Sequence, residues 1–102
     1  MGYNTKMNRI VQSALYAEWF AQLRDAKIRA IINARLRRLE LGNAGDCEPV
    51  GEGVSEMRIH HGAGYRLYFV KRGLELVVLL AAGTKASQTK DIKEALKLAR
   101  TL

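Results

Sequence analysis

Residues 54–85, VSEMRIHHGAGYRLYFVKRGLELVVLLAAGTK, leave this chain little choice of architecture. Residues 54–60 and 65–71 alternate as strands do, and a near-continuous apolar run follows over 74–82. Gly62-Ala63-Gly64 and Arg72-Gly73 supply the turns between them. The spacing predicts three successive strands. In the first, Met57 and Ile59 share one face, and Glu56, Arg58 and His60 share the other. In the second, Leu67 and Phe69 share a face, and Arg66 and Tyr68 take the opposite one. A slip of one residue turns every side chain over, so only registers that keep apolar with apolar are admissible. A turn centred on Gly62 is such a register, and it sets Arg58 directly opposite Arg66. Like charges facing each other across a sheet are destabilising. A facing pair of arginines therefore points to an anion held between them.

The flanking segments read as follows. Residues 1–6 form a short lead-in, and 7–11 a weak strand. Ser13 can cap a helix running to about Asp25. Its apolar positions Leu15, Tyr16, Trp19, Phe20 and Leu23 make one wide stripe, which places Tyr16 and Trp19 in the core rather than against bases. A second helix over 26–41 buries Ile28, Ile31, Ile32, Leu36 and Leu39, and Arg29, Arg35, Arg37 and Arg38 project elsewhere. Gly42-Asn43 ends it. Residues 43–53 are expected to be the longest loop, and a last amphipathic helix is expected over 89–101, with Ser87 or Thr89 as its cap. The order is β-α-α-β-β-β-α, an α+β fold with a small antiparallel sheet. The helix hairpin covers one sheet face and leaves the Arg58/Arg66 face partly open.

At 102 residues and 48% hydrophobic, the chain suffices for a single domain over 1–102 with a proper core. Its net charge of +7 suggests a polyanionic partner, nucleic acid before membrane. Cys47 is the lone cysteine, so no internal disulfide is possible. No apolar run is long enough to span a bilayer. The N-terminus lacks the apolar segment of a signal peptide, and Lys6 stands where a myristoylation motif needs Ser or Thr. A reducing, cytoplasmic setting is the expectation.

Most catalytic chemistries find no motif here. His60-His61 with Cys47 does not make a zinc spacing, so no metal and no cofactor are expected. GAGYR lacks the Lys-Ser/Thr end of a phosphate loop, and there is no nucleophile elbow. What remains is a basic cluster of Arg58, Arg66 and Lys85, with Tyr68, His60 and Gln88 near it. Three cations on one spot can hold a phosphodiester and neutralise the charge that builds as it is cleaved. The planar fork of arginine suits two phosphate oxygens at once. RNA carries its own nucleophile, the ribose 2′-OH. His60, on the Arg58 face, is the candidate base. Tyr68, Gln88, Arg37 and Arg38 are candidate RNA contacts.

Several segments together resemble the RelE/ParE toxin superfamily, most of all its HigB-like addiction module killer branch. They are the helix from Trp19-Phe20 to Asp25, the run from Gly42 to Ile59 (GNAGDCEPVGEGVSEMRI), the hairpin GAGYRLYF from Gly62 to Phe69, and GTKASQ from Gly83 to Gln88. Ala63 stands where that branch has a turn proline, and Thr84 where it has an acidic residue. The resemblance implies a ribosome-associated endoribonuclease that cleaves mRNA, the toxin of a type II toxin–antitoxin pair. It implies a cognate helix-turn-helix antitoxin as partner, and Arg58, Arg66 and Lys85 as phosphate contacts. Two alternatives stay open: a non-enzymatic ParE-like poison of DNA gyrase, and a decayed toxin that only binds its antitoxin.

Overall fold

The structure is a computed structural model and describes residues 8–102. The lead-in and Met7 lie outside the described residues. The elements are β1 (Arg9–Gln12), α1 (Ala14–Gln22), α2 (Ala26–Glu40), β2 (Cys47–Gly51), β3 (Val54–Ile59), β4 (Tyr65–Arg72), β5 (Leu76–Thr84), a 3-10 turn (Lys85–Ser87) and α3 (Gln88–Ala99). The α+β class and the helix hairpin are as expected. The sheet differs from expectation in two ways.

It has five strands in the order β1-β5-β4-β3-β2. β1 lies parallel to β5, so the sheet is mixed rather than antiparallel. The expected loop at 43–53 also contains a strand. β2 pairs with β3, Cys47 opposite Met57 and Glu48 opposite Glu56. Pro49 is tolerated in this strand because β2 is an edge, where a missing N–H breaks no ladder on its outer side.

Local chemistry sets the helix ends. The Ser13 hydroxyl accepts from the Tyr16 N–H at 3.0 Å. The Asp25 carboxylate accepts from the N–H groups of Lys27 and Ile28 and starts α2 immediately after α1 has stopped. Arg29 closes the corner. Its guanidinium donates to the carbonyl of Leu23 at 3.0 Å and lies 4.6 Å from the centre of the Phe20 ring. Arg35 is likewise structural, donating to the Arg58 carbonyl at 2.8 Å and so tying α2 to the end of β3.

The two sheet faces have separate cores. On one, Tyr16 from α1 and Ile28, Ile32, Leu36 and Leu39 from α2 pack with Met57, Ile59, Leu67, Phe69, Val77 and Leu79. Trp19 and Phe20 also pack there, so the aromatic stripe of α1 is core as its spacing predicts. On the other, Ala95 and Ala99 of α3 pack with Val54, Tyr68, Val70, Leu80 and Ala81. β5 is therefore covered on both sides, which is why its sequence is apolar without alternation. Fully burying a side chain such as Leu79 or Leu80 contributes about 2 kcal/mol. No helix among the described residues is long and apolar enough to cross a membrane.

β5 carries a bulge that positions the site. Tyr68 pairs with Ala81 and Phe69 with Leu79, leaving Leu80 as the extra residue. Leu80 and Ala81 therefore both join the α3 core, and Gly83 falls opposite Arg66. A Cβ on Gly83 would overlap the Asp91 carboxylate and the Ser87 hydroxyl at the start of α3. The bare glycine thus lets α3 close down onto the sheet. Gly83→Ala should lower stability by about 1–3 kcal/mol, as overpacking generally does. A melting temperature unchanged from wild type would show that α3 relaxes freely.

Candidate functional site

The site forms on the α3 side of β3 and β4, where alternation and register bring polar residues together. Arg58 and Arg66 are direct partners across β3 and β4, and Glu56 faces Tyr68 one pair further on. On the outer side Glu48 faces Glu56, and the Arg58 N–H donates to the Asp46 carbonyl. Acids and arginines therefore alternate over this face, and each arginine meets carboxylates. Arg58 Nη2 lies 3.2 Å from Asp46 Oδ1 and 3.3 Å from Glu48 Oε1. Arg66 Nη1 lies 3.6 Å from Glu56 Oε1. The repulsion expected between the facing arginines is offset by these pairs.

The environments differ sharply. The Arg66 and Glu56 side chains are 12% and 4% exposed, and those of Arg58 and Asp46 are 27% and 42% exposed. Glu56 is the buried hub. Its Oε2 accepts from the Tyr68 hydroxyl at 2.9 Å and from the Gln88 amide at 2.8 Å. Burial, then the hydrogen bond and charge of Glu56, push the Tyr68 phenol well above its ordinary range, so it stays a neutral donor. The Nε atoms of both Arg58 and Arg66 are buried without a hydrogen-bond partner among the described residues. Buried N–H groups without acceptors are uncommon in folded proteins.

His60 lies at the rim of this face. Its side chain is 73% exposed, and its Nε2 lies 2.6 Å from Asp46 Oδ2. The hydrogen bond with His60 foremost, and then the charge of Arg58, hold the Asp46 carboxyl below its usual range. Its contribution to stability is present above the ordinary carboxylate value of about 4 and is lost as pH falls through the depressed value. Ile59 pairs with Tyr65, and Tyr65 with Thr84. His60 follows Ile59, Gly64 precedes Tyr65 and Lys85 follows Thr84, so all three lie just past this end of the strands. A Cβ on Gly64 would touch the Lys85 Cβ at 3.5 Å, and Gly64 has φ +75°, a conformation that favours glycine. Gly64 thus leaves the backbone bare next to Lys85, and both Lys85 and His60 are exposed.

The structure brings Arg58, Arg66, Lys85 and His60 to one end of one sheet face. Tyr68 and Gln88 share that face, Gln88 partly exposed and Tyr68 not at all. Tyr68 is completely buried, and both donate to Glu56. Tyr68 offers no ring for a base to stack on. Arg37 and Arg38 are exposed on α2, which packs against the opposite sheet face, and Arg37 pairs with Glu40 at 3.2 Å. They are not part of this cluster. Cys47 is partly buried at the start of β2, and burial raises its thiol. No group of three or more His, Cys, Asp or Glu among the described residues is placed to hold a metal ion.

Sequence reasoning missed three carboxylates, Asp46, Glu48 and Glu56. Glu56 was legible. In the Gly62-centred register it lies diagonally across from Arg66, the arrangement that lets opposite charges pair. Asp46 and Glu48 were not, because only the pairing of β2 with β3 brings them to Arg58, and residues 43–53 carry no strand pattern of their own.

Residues 18–102 match the model of the family described as Phage derived protein Gp49-like (DUF891). The chain belongs to this family. Gp49-like proteins are a family of toxin–antitoxin toxins with a RelE-like fold. This Gp49-like chain is also 42% identical over 94 residues to a protein of Haemophilus influenzae described as "Uncharacterized protein", covering 92% of this chain and 95% of that one. No solved structure matches it significantly.

Proposed function

We propose that this chain is the HigB-like toxin of a toxin–antitoxin pair and acts as a metal-independent endoribonuclease on mRNA, engaged at the ribosome. One observation carries the reading. Arg58 and Arg66 face each other across β3 and β4, each with a buried Nε–H that no atom of the described residues accepts, near the end of the face where Gly64, Lys85 and His60 lie. A phosphodiester lying on Gly64 would meet cations on three sides. Arg66, buried against Glu56, is the preorganised contact, and Arg58 swings from its exposed carboxylate partners onto a phosphate oxygen. Preorganised charge aimed at a developing anion is commonly the largest catalytic contribution.

The ribose 2′ oxygen forms the bond to phosphorus, and its proton passes to His60. The bond from phosphorus to the 5′ oxygen breaks, and that oxygen takes a proton from water. The products end in a 2′,3′-cyclic phosphate and a 5′-hydroxyl. The basic charge of +7 suits both RNA and an antitoxin that would cover the site.

Expression of the chain alone should arrest growth, and co-expression of its antitoxin should restore it. RNA ends mapped after induction should carry cyclic or 3′-phosphate termini, and cleavage of free RNA should persist in excess chelator. Products with 3′-hydroxyl ends would overturn the mechanism. Intact mRNA together with relaxed DNA would replace it with gyrase poisoning.

A further inference from the structure

Asp46 belongs to no sequence motif for chemistry, yet it touches both groups at the outer edge of the cluster. Its Oδ2 lies 2.6 Å from His60 Nε2 and its Oδ1 lies 3.2 Å from Arg58 Nη2. Its own backbone is held, since the Arg58 N–H donates to its carbonyl at 2.9 Å. The segment is anchored further by Arg35, whose guanidinium reaches the carbonyls of Ala44 and Arg58. Glu48, the other carboxylate on Arg58, contacts the arginine alone and is 60% exposed.

We infer that Asp46 is the positioning residue of the ribonuclease site, orienting His60 as general base. With Nε2 engaged by the carboxylate, the ring presents Nδ1 to the substrate. A carboxylate in this position favours one tautomer and stabilises the imidazolium formed when the 2′ proton arrives. This assignment rests on the ribonuclease reading and adds a residue that does not itself touch RNA.

The test separates positioning from folding by non-additivity. Cleavage of an RNA oligonucleotide, free and bound to ribosomes, should be followed under single-turnover and saturating conditions for wild type, Asp46→Asn, Asp46→Glu, His60→Gln and the Asp46→Asn/His60→Gln pair. Asp46→Asn should lower kcat roughly tenfold to a hundredfold with a smaller change in KM, the range expected when general-base catalysis is impaired. Asp46→Glu should recover part of the loss. In the His60→Gln background Asp46→Asn should lower kcat no further, since the group it orients is already gone. A long-range nitrogen correlation spectrum supplies a readout free of activity. The sequence has two histidines, and only the His60 ring nitrogens should shift in Asp46→Asn. Equal, multiplicative losses in both backgrounds, or an unchanged kcat in Asp46→Asn, would overturn the assignment while leaving the ribonuclease reading intact. Wild-type protein that cleaves no RNA on or off the ribosome would overturn both.

Discussion

Arg58→Gln should slow RNA cleavage roughly a hundredfold and leave the melting temperature unchanged, whereas Arg66→Gln should lose both activity and stability. The loss in rate follows from removing one charge contact to a developing anion. The difference in stability follows from burial. Arg58 pairs with Asp46 and Glu48 at the open edge of the sheet, where all three remain hydrated once separated. Arg66 is 12% exposed against a Glu56 side chain that is 4% exposed. Its removal leaves a buried carboxylate short of one partner, at a cost of about 1–3 kcal/mol. The facing arginines alone suggest that neutralising either would relieve repulsion and raise stability. The carboxylates that pair with each of them cancel that gain. Lys85→Gln should resemble Arg58→Gln, because Lys85 is exposed and beside Gly64. Melting curves and cleavage rates for the three variants decide the matter. An Arg58→Gln protein that stays fully active, or melts several degrees early, would remove Arg58 from the phosphate site.

The second large effect is at Glu56. Glu56→Ala should destabilise the fold by about 3 kcal/mol, because it strands three donors at once. The Tyr68 hydroxyl, the Gln88 amide and the Arg66 guanidinium all meet this carboxylate. For a domain of this size that loss lowers the melting temperature by roughly 10–20 °C. Glu56→Gln keeps an acceptor for Tyr68 but withdraws the charge from Arg66, so its loss should be smaller. Gln88 lies at the first turn of α3, so the alanine variant should also loosen that helix from the sheet. Hydrogen exchange at α3 would detect this. A Glu56→Ala protein as stable as wild type, with α3 still protected, would show that the hub carries no stability.

Local pattern was enough for much of this protein. The alternation of 54–60 and 65–71, and the demand that apolar meet apolar, determine the Arg58–Arg66 pairing that the structure adopts. The α2 stripe and the Tyr16, Trp19, Phe20 and Leu23 part of the α1 stripe likewise determine which helix faces turn inward, whereas Leu15, at the edge of the α1 stripe, stays 42% exposed. The apolar run of β5 announces cover on both sides. Other features depend on partners distant in sequence. β1 joins the sheet only because β5 offers it a parallel edge, which no local pattern encodes. β2 is a strand by virtue of pairing with β3, since Cys47–Gly51, with its proline and glycine, has weak strand propensity of its own. The Leu80 bulge, the approach of α3 over Gly83 and the burial of Tyr68 all follow from packing. So do the charge pairs. The sequence places two arginines face to face. Which carboxylates hold each one, and how wet each pair is, depends on the edge strand and α3, and that decides which arginine is free to move and which is locked.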